Sequence, residues 1–259
     1  MRVLTRAAAA AALIGILFTS GCATSPGSDN TVIPSVDGPQ LGDVALDDDV
    51  RDATVLVVGD SLAHAFGEGM SDTISAGEAR DVTIVNAAIG GCGLLLSVEQ
   101  QVAGTMSATN PECNTWTTRW PELVAEYQPD YVYLSTSFWD VAPQVLLEGG
   151  PTVSMADEAV QQRWIDNAKT AVELLSAGGA HVYLDDVNAD GMHTVQERTV
   201  EEIASAQVTL LPLREQMCDS TECPASIDGI QVLDDTGHPA GQSRDRLARW
   251  ILNRMFSAA

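Results

Sequence analysis

A chain of 259 residues with 45% hydrophobic content is long enough to bury one sizeable core, which excludes simple disorder. Thirteen basic against 36 acidic side chains leave a formal charge of −23, so nucleic acid and other polyphosphates are repelled rather than bound. Aromatics at 5%, 21 glycines, 11 prolines and no long-period repeat describe an ordinary globular domain with many turns.

Arg2 and Arg6 precede an unbroken apolar run over residues 7–18, and Thr19-Ser20-Gly21-Cys22 follows. The run is too short for a bilayer, which needs about 20 apolar residues. Residues 1–21 therefore read as an export signal. A cysteine directly after Ser-Gly is similar to a bacterial lipobox, which implies lipidation of Cys22 and contact with the membrane only through that anchor. Residues 22–50 are rich in Pro, Gly, Ser and Asp, hold no Lys or Arg and read as a solvated tether reaching about 30 Å. They lead into a single domain over residues 51–259.

Within that domain, short apolar runs at 54–58, 82–85, 131–135 and 181–184 have the near-continuous hydrophobicity of strands buried on both faces. Val160, Trp164, Ala168, Ala171, Val172 and Leu175 recur at helical spacing before Gly178-Gly179. Leu247, Trp250, Ile251 and Met255 make a one-sided terminal helix. The alternation predicts an α/β fold, a doubly wound, flavodoxin-like parallel sheet with helices on both faces. Ligands in such folds sit beyond the carboxyl ends of the strands.

Four cysteines remain beyond Cys22. An even number in an exported chain suggests disulfides, with the local pairs Cys92–Cys113 and Cys218–Cys223 favoured among three pairings. The Cys-x-x-x-x-Cys spacing at 218 and 223 is a poor match to zinc; no metal and no cofactor is expected.

The first strand end reads Gly59-Asp60-Ser61-Leu62. A serine where a buried strand turns into a helix has its hydroxyl at the lip of the sheet, among free backbone N–H groups that favour negative charge. Helix capping by Asp60 or Ser61 explains the same string. The second end holds Gly90-Gly91-Cys92-Gly93, suited to aiming an amide at a reacting oxygen or to forming a tight turn. The third, residues 135–140, is polar and aromatic. A serine nucleophile needs a base, normally a histidine steered by a carboxylate. Two histidines, His193 and His238, have an aspartate three residues earlier, Asp190 and Asp235; His181 lies within a strand, and His64 is a neighbour of Ser61.

Gly59-Asp60-Ser61-Leu62 after a first strand, a glycine turn after the second and Asp235-Thr236-Gly237-His238 before a last helix together resemble an SGNH (GDSL-type) hydrolase. Gly91-Cys92-Gly93, Ser137-Phe138-Trp139-Asp140 and the run from Cys223 to His238 are similar to SGNH domains attached to acyltransferase-3 membrane proteins in actinobacteria. The resemblance implies Ser61 as nucleophile, His238 as base, Asp235 as its orienting acid, and the amides of Ser61 and Gly91 as the oxyanion hole. Asp60, Ser137, Trp139 and Asp140 are then neighbours of the substrate or oxyanion. Most SGNH hydrolases place an asparagine after the third strand, and residues 135–140 contain none. Two readings follow. The first is an exported, lipid-anchored esterase or O-acyltransferase acting on acyl groups, acetyl among them, of an envelope glycan or glycolipid. The alternative is a non-catalytic glycan-binding or scaffold lipoprotein.

Overall fold

A computed structural model describes Leu41 and residues 45–186, 192–203, 207–218 and 223–257, with Ser137 and Phe138 described by backbone alone. The expected signal segment, Cys22 and most of the tether lie outside the described residues. In chain order the elements begin with β1 (Arg51–Gly59), α1 (Ser61–Ser75), β2 (Arg80–Asn86), β3 (Glu99–Val102), β4 (Thr105–Ala108) and α2 (Trp116–Tyr127). There follow β5 (Tyr131–Ser135), α3 (Ser137–Val141), β6 (Gln144–Val145), β7 (Thr152–Val153), α4 (Glu158–Ser176) and β8 (His181–Asp185). The last are α5 (Met192–Ile203), β9 (Val208–Leu211), α6 (Arg214–Met217), β10 (Ser226–Ile227), β11 (Ile230–Gln231) and α7 (Gln242–Ser257).

The main sheet is parallel and ordered β2-β1-β5-β8-β9. That order, with the chain's first main strand flanked by its second and third, is flavodoxin-like and doubly wound. Alternation along each buried strand divides the apolar residues between two cores. Val55 and Val57 join α1 and α7 through Phe66, Met70, Leu247 and Ile251 on one face. Leu56 and Val58 face α2, α4 and α5 through Trp120, Trp164, Ile165 and Val195 on the other. The fold class is therefore the one the sequence predicts. A four-stranded antiparallel sheet, β4-β3-β6-β7, and the β10–β11 hairpin are additional. The structure pairs Cys92 with Cys113 and Cys218 with Cys223.

Candidate active site

β1 ends against the neighbouring strand so closely that only glycine fits. Gly59 has φ +129, and a Cβ there would fall 1.9 Å from the Ser135 carbonyl oxygen. The next residue donates its amide to that same oxygen at 2.9 Å and caps α1: Asp60 Oδ1 accepts from the amides of Leu62 at 2.8 Å and Ala63 at 3.5 Å. Ser61 is thereby fixed as the first helical residue at the carboxyl edge of the sheet.

The segment after β2 continues alongside β1, where Ala87 donates to Val57 and Ile89 to Gly59, each at 2.9 Å. This brings the glycine turn beside the serine. A Cβ at Gly90 would lie 3.6 Å from that of Ser61, whereas Gly91, at φ +84, offers its carbonyl to Gln100 Nε2 at 3.1 Å. Gly90 is thus the glycine that faces Ser61, with Gly91 one step along.

Asp140 has a different place from the substrate neighbour expected of it. Its carboxylate is fully buried and accepts from the amides of Leu94 at 3.0 Å and Leu95 at 2.8 Å and from Trp164 Nε1 at 2.8 Å. A Cβ at Gly93 would meet it at 2.2 Å. Asp140 is therefore the internal post on which the glycine turn is hung, because α3 points this acid inward. Asp60, expected as another substrate neighbour, is likewise fully buried beneath the helix. Trp139 lines a cavity beside Ser61, and the side chain of Ser137 lies outside the described residues.

His238 arrives from the loop between β11 and α7. Its Nε2 stands 2.7 Å from Ser61 Oγ. On the other side of the ring, Nδ1 is 2.9 Å from Thr236 Oγ1. The Thr236 hydroxyl donates to Asp234 Oδ1 at 2.6 Å, which also accepts from the amides of Thr236 at 2.8 Å and His238 at 3.1 Å. Asp235, expected as the orienting acid, is exposed, and among the described residues no hydrogen bond joins it to the ring. The turn closed by Asp234 and Gly237 puts the hydroxyl of residue 236 where the carboxylate of residue 235 was expected. Asp-x-x-His spacing permits the contact without compelling it.

The other histidines are engaged elsewhere. His193 lies on α5 between Asp186, 3.3 Å from Nδ1, and Glu197, 3.2 Å from Nε2. Nε2 of His181 is 2.8 Å from Thr209 Oγ1. His64 lies 3.4 Å from Glu68 on the exposed side of α1.

The sequence did not disclose a set of buried acids beneath this edge. Burial pushes the Asp60 carboxyl up to about 7, against the hydrogen bonds from Leu62 and Ala63. It pushes Asp140 up to about 6, against its amide and indole donors. Asp185, at the end of β8, rises to about 8 through burial, opposed by the hydrogen bond that the Tyr133 hydroxyl donates to it. The Tyr133 hydroxyl is raised in turn, mainly by its own burial. Their signal in the sequence is weak: each is an aspartate within two residues of a strand or short helix end.

Among the described residues, no group of three or more His, Cys, Asp or Glu side chains is placed to hold a metal, and no helix is long and apolar enough to cross a membrane. The paired cysteines suit a compartment outside the reducing cytosol.

A serine at the end of the first strand, a histidine brought to its hydroxyl by the last loop, and a five-stranded parallel sheet beneath them define a serine hydrolase of the SGNH type, whose chemistry is acyl-ester hydrolysis. The chain belongs to the family described as the SGNH domain fused to AT3 domains, whose model matches residues 22–196. That span takes in Asp60, Ser61, the glycine turn and Asp140 and stops short of His238. Among solved structures the chain is similar to TesA, at 21% identity over 78% of this chain and 99% of that one, with a TM-score of 0.49. It is also similar to the psychrotrophic esterase EstA from Pseudoalteromonas sp., at 16% identity, 80% and 95% coverage and a TM-score of 0.45. A carbohydrate esterase family 3 structure from Talaromyces cellulolyticus is 13% identical over 79% and 97%, with a TM-score of 0.48. No curated protein matches.

Proposed function

We propose that the protein is an exported, lipid-anchored esterase or O-acyltransferase that works on ester-linked acyl groups of an envelope glycan or glycolipid through an acyl-Ser61 intermediate. The observation that carries this reading is the 2.7 Å separation of Ser61 Oγ and His238 Nε2. In the mechanism, Ser61 Oγ bonds to the ester carbonyl carbon as its proton passes to His238 Nε2. The carbonyl oxygen takes the negative charge and is held by backbone N–H groups of Ser61 and the Gly90-Gly91 turn. Collapse breaks the bond to the leaving alcohol, which receives the proton from His238. Water, or a sugar hydroxyl, then attacks the acyl-enzyme by the same route in reverse. Thr236, bonded to Asp234, holds the ring with Nε2 toward the serine.

Export is supported by the basic and apolar segment before Cys22 and by the two disulfides. Acyl transfer beside hydrolysis is supported by membership of a family described as fused to AT3 domains. The test is hydrolysis of p-nitrophenyl acetate beside a Ser61→Ala control, with a fluorophosphonate probe to mark the nucleophile. Expected are a Ser61 adduct and a rate lowered at least about a thousandfold in the variant. Equal rates and no adduct would leave the glycan-binding lipoprotein in its place.

A further inference from the structure

A cavity of about 340 Å³ opens beside the reacting pair, with Ser61 and His238 in its lining. Its remaining surface is mostly apolar, from Leu62 of α1, Trp139 of α3, Met217 of α6, Leu233 and the Cys218–Cys223 disulfide, with Arg214 and Thr236 as the further polar side chains. It is more than twice the size of a cavity of about 150 Å³ that takes up benzene, and within the range of small-molecule pockets. An acetyl group would leave nearly all of it empty.

Two parts of an ester compete for such a space. A sugar alcohol would bring several hydroxyls against Leu62, Trp139, Met217 and Leu233, and each one buried without a partner is unfavourable. An alkyl chain loses nothing there and gains with every methylene removed from water. We infer that this cavity is the acyl-chain site and that the natural acyl group is an apolar chain of about six to ten carbons, the sugar alcohol lying outside toward solvent. The inference rests on the esterase reading and names its acyl donor. When Ser61 Oγ bonds to the carbonyl carbon and the bond to the alcohol breaks, the alcohol departs with the proton from His238. The chain stays in the cavity until water or an acceptor hydroxyl takes the acyl group.

One series of substrates tests both statements separately. With the purified protein, kcat/KM for p-nitrophenyl acetate, butyrate, hexanoate, octanoate and dodecanoate is expected to rise about fourfold per added methylene up to the hexanoate or octanoate and then to level or fall. Met217→Trp, which narrows the cavity from α6, is expected to lower the ratio of octanoate to acetate turnover about tenfold or more. Leu233→Trp, at another lining residue, is expected to do the same and serves if the first variant fails to fold. A flat profile, or one falling from acetate, with turnover still dependent on Ser61, would overturn the acyl site and spare the esterase. Preference for esters ending in a carboxylate would also overturn it and would make Arg214, another lining residue, the recognition element. No Ser61-dependent turnover of any ester would overturn both.

Discussion

The hydroxyl of Thr236 occupies the position beside His238 Nδ1, 2.9 Å away, on the far side of the ring from Ser61. It is held there by Asp234, whose Oδ1 accepts a hydrogen bond from the hydroxyl at 2.6 Å and from two backbone amides besides. A carboxylate thus reaches the imidazole through one intervening hydroxyl. Thr236→Val, which keeps the shape and removes the bond, is expected to lower kcat about tenfold, the value of one hydrogen bond, with KM nearly unchanged. Asp235→Asn is expected to change kcat less than about twofold. Steady-state kinetics on the two variants decide. A larger loss from the Asp235 variant would return the orienting role to the residue that the Asp-x-x-His spacing picks out.

The choice between His238 and His193 has a direct kinetic consequence. His193 is committed to Asp186 and Glu197, while His238 stands at the serine. His238→Ala is expected to lose about a thousandfold or more in kcat, and His193→Ala to stay within about threefold. Circular dichroism of both would confirm that each is folded. Retained turnover without His238 would end its assignment as the base.

The strands and the nucleophile's setting were legible because their signals are local. Residues 54–58, 82–85, 131–135 and 181–184 form the centres of β1, β2, β5 and β8, each an apolar run with no competing helical period. β9 escaped although Val208–Leu211 is as long as the run at 82–85, because Pro212 interrupts the apolar stretch before Leu213; β6 and β7 have two residues each, too few for any periodicity to show. α2 carries Trp116, Trp120 and Val124 at intervals of four, but Pro121 interrupts its helical character. The partner of His238 was not legible for a different reason. Residues 234, 235 and 236 all carry an oxygen acceptor two to four positions before His238, and the choice among them depends on how one turn closes. Burial of Asp140 was hidden because its donors, Leu94, Leu95 and Trp164, come from distant stretches of chain.

The glycine turn beside Ser61 depends on Asp140 from below. Asp140→Ala strands two amides and an indole N–H in the core, and each orphaned buried donor costs about 1–3 kcal/mol. A loss of about 3 kcal/mol or more is expected in urea unfolding. Gly93→Ala drives a methyl into the same carboxylate, at 2.2 Å before relaxation, and is expected to cost about 1–3 kcal/mol. Because the turn also carries Gly90 and Gly91, both variants should lose turnover out of proportion to KM. A Gly93→Ala protein as stable and active as the parent would show that the turn is not held in the way described.

Three fully buried acids with raised values, near 6 for Asp140, 7 for Asp60 and 8 for Asp185, set the direction in which stability changes with pH. In the unfolded chain these carboxyls release their protons near the ordinary value of about 4. Between that value and about 8 the folded protein therefore binds more protons than the unfolded one, and unfolding free energy falls as pH rises. The contribution is complete below about pH 4 and is lost as pH rises through the folded values, with the last of it going by about pH 9. Exposed carboxylates are already ionised above about pH 6, so their mutual repulsion changes little across the upper part of this window. The Tm is accordingly expected to fall steadily from about pH 6 to about pH 9 in calorimetric scans. Asp185→Asn keeps an acceptor for the Tyr133 hydroxyl and removes the last acid to titrate, so its Tm should fall less between about pH 7 and pH 9. Parallel curves for parent and variant over that interval would mean that Asp185 carries no proton in the folded protein.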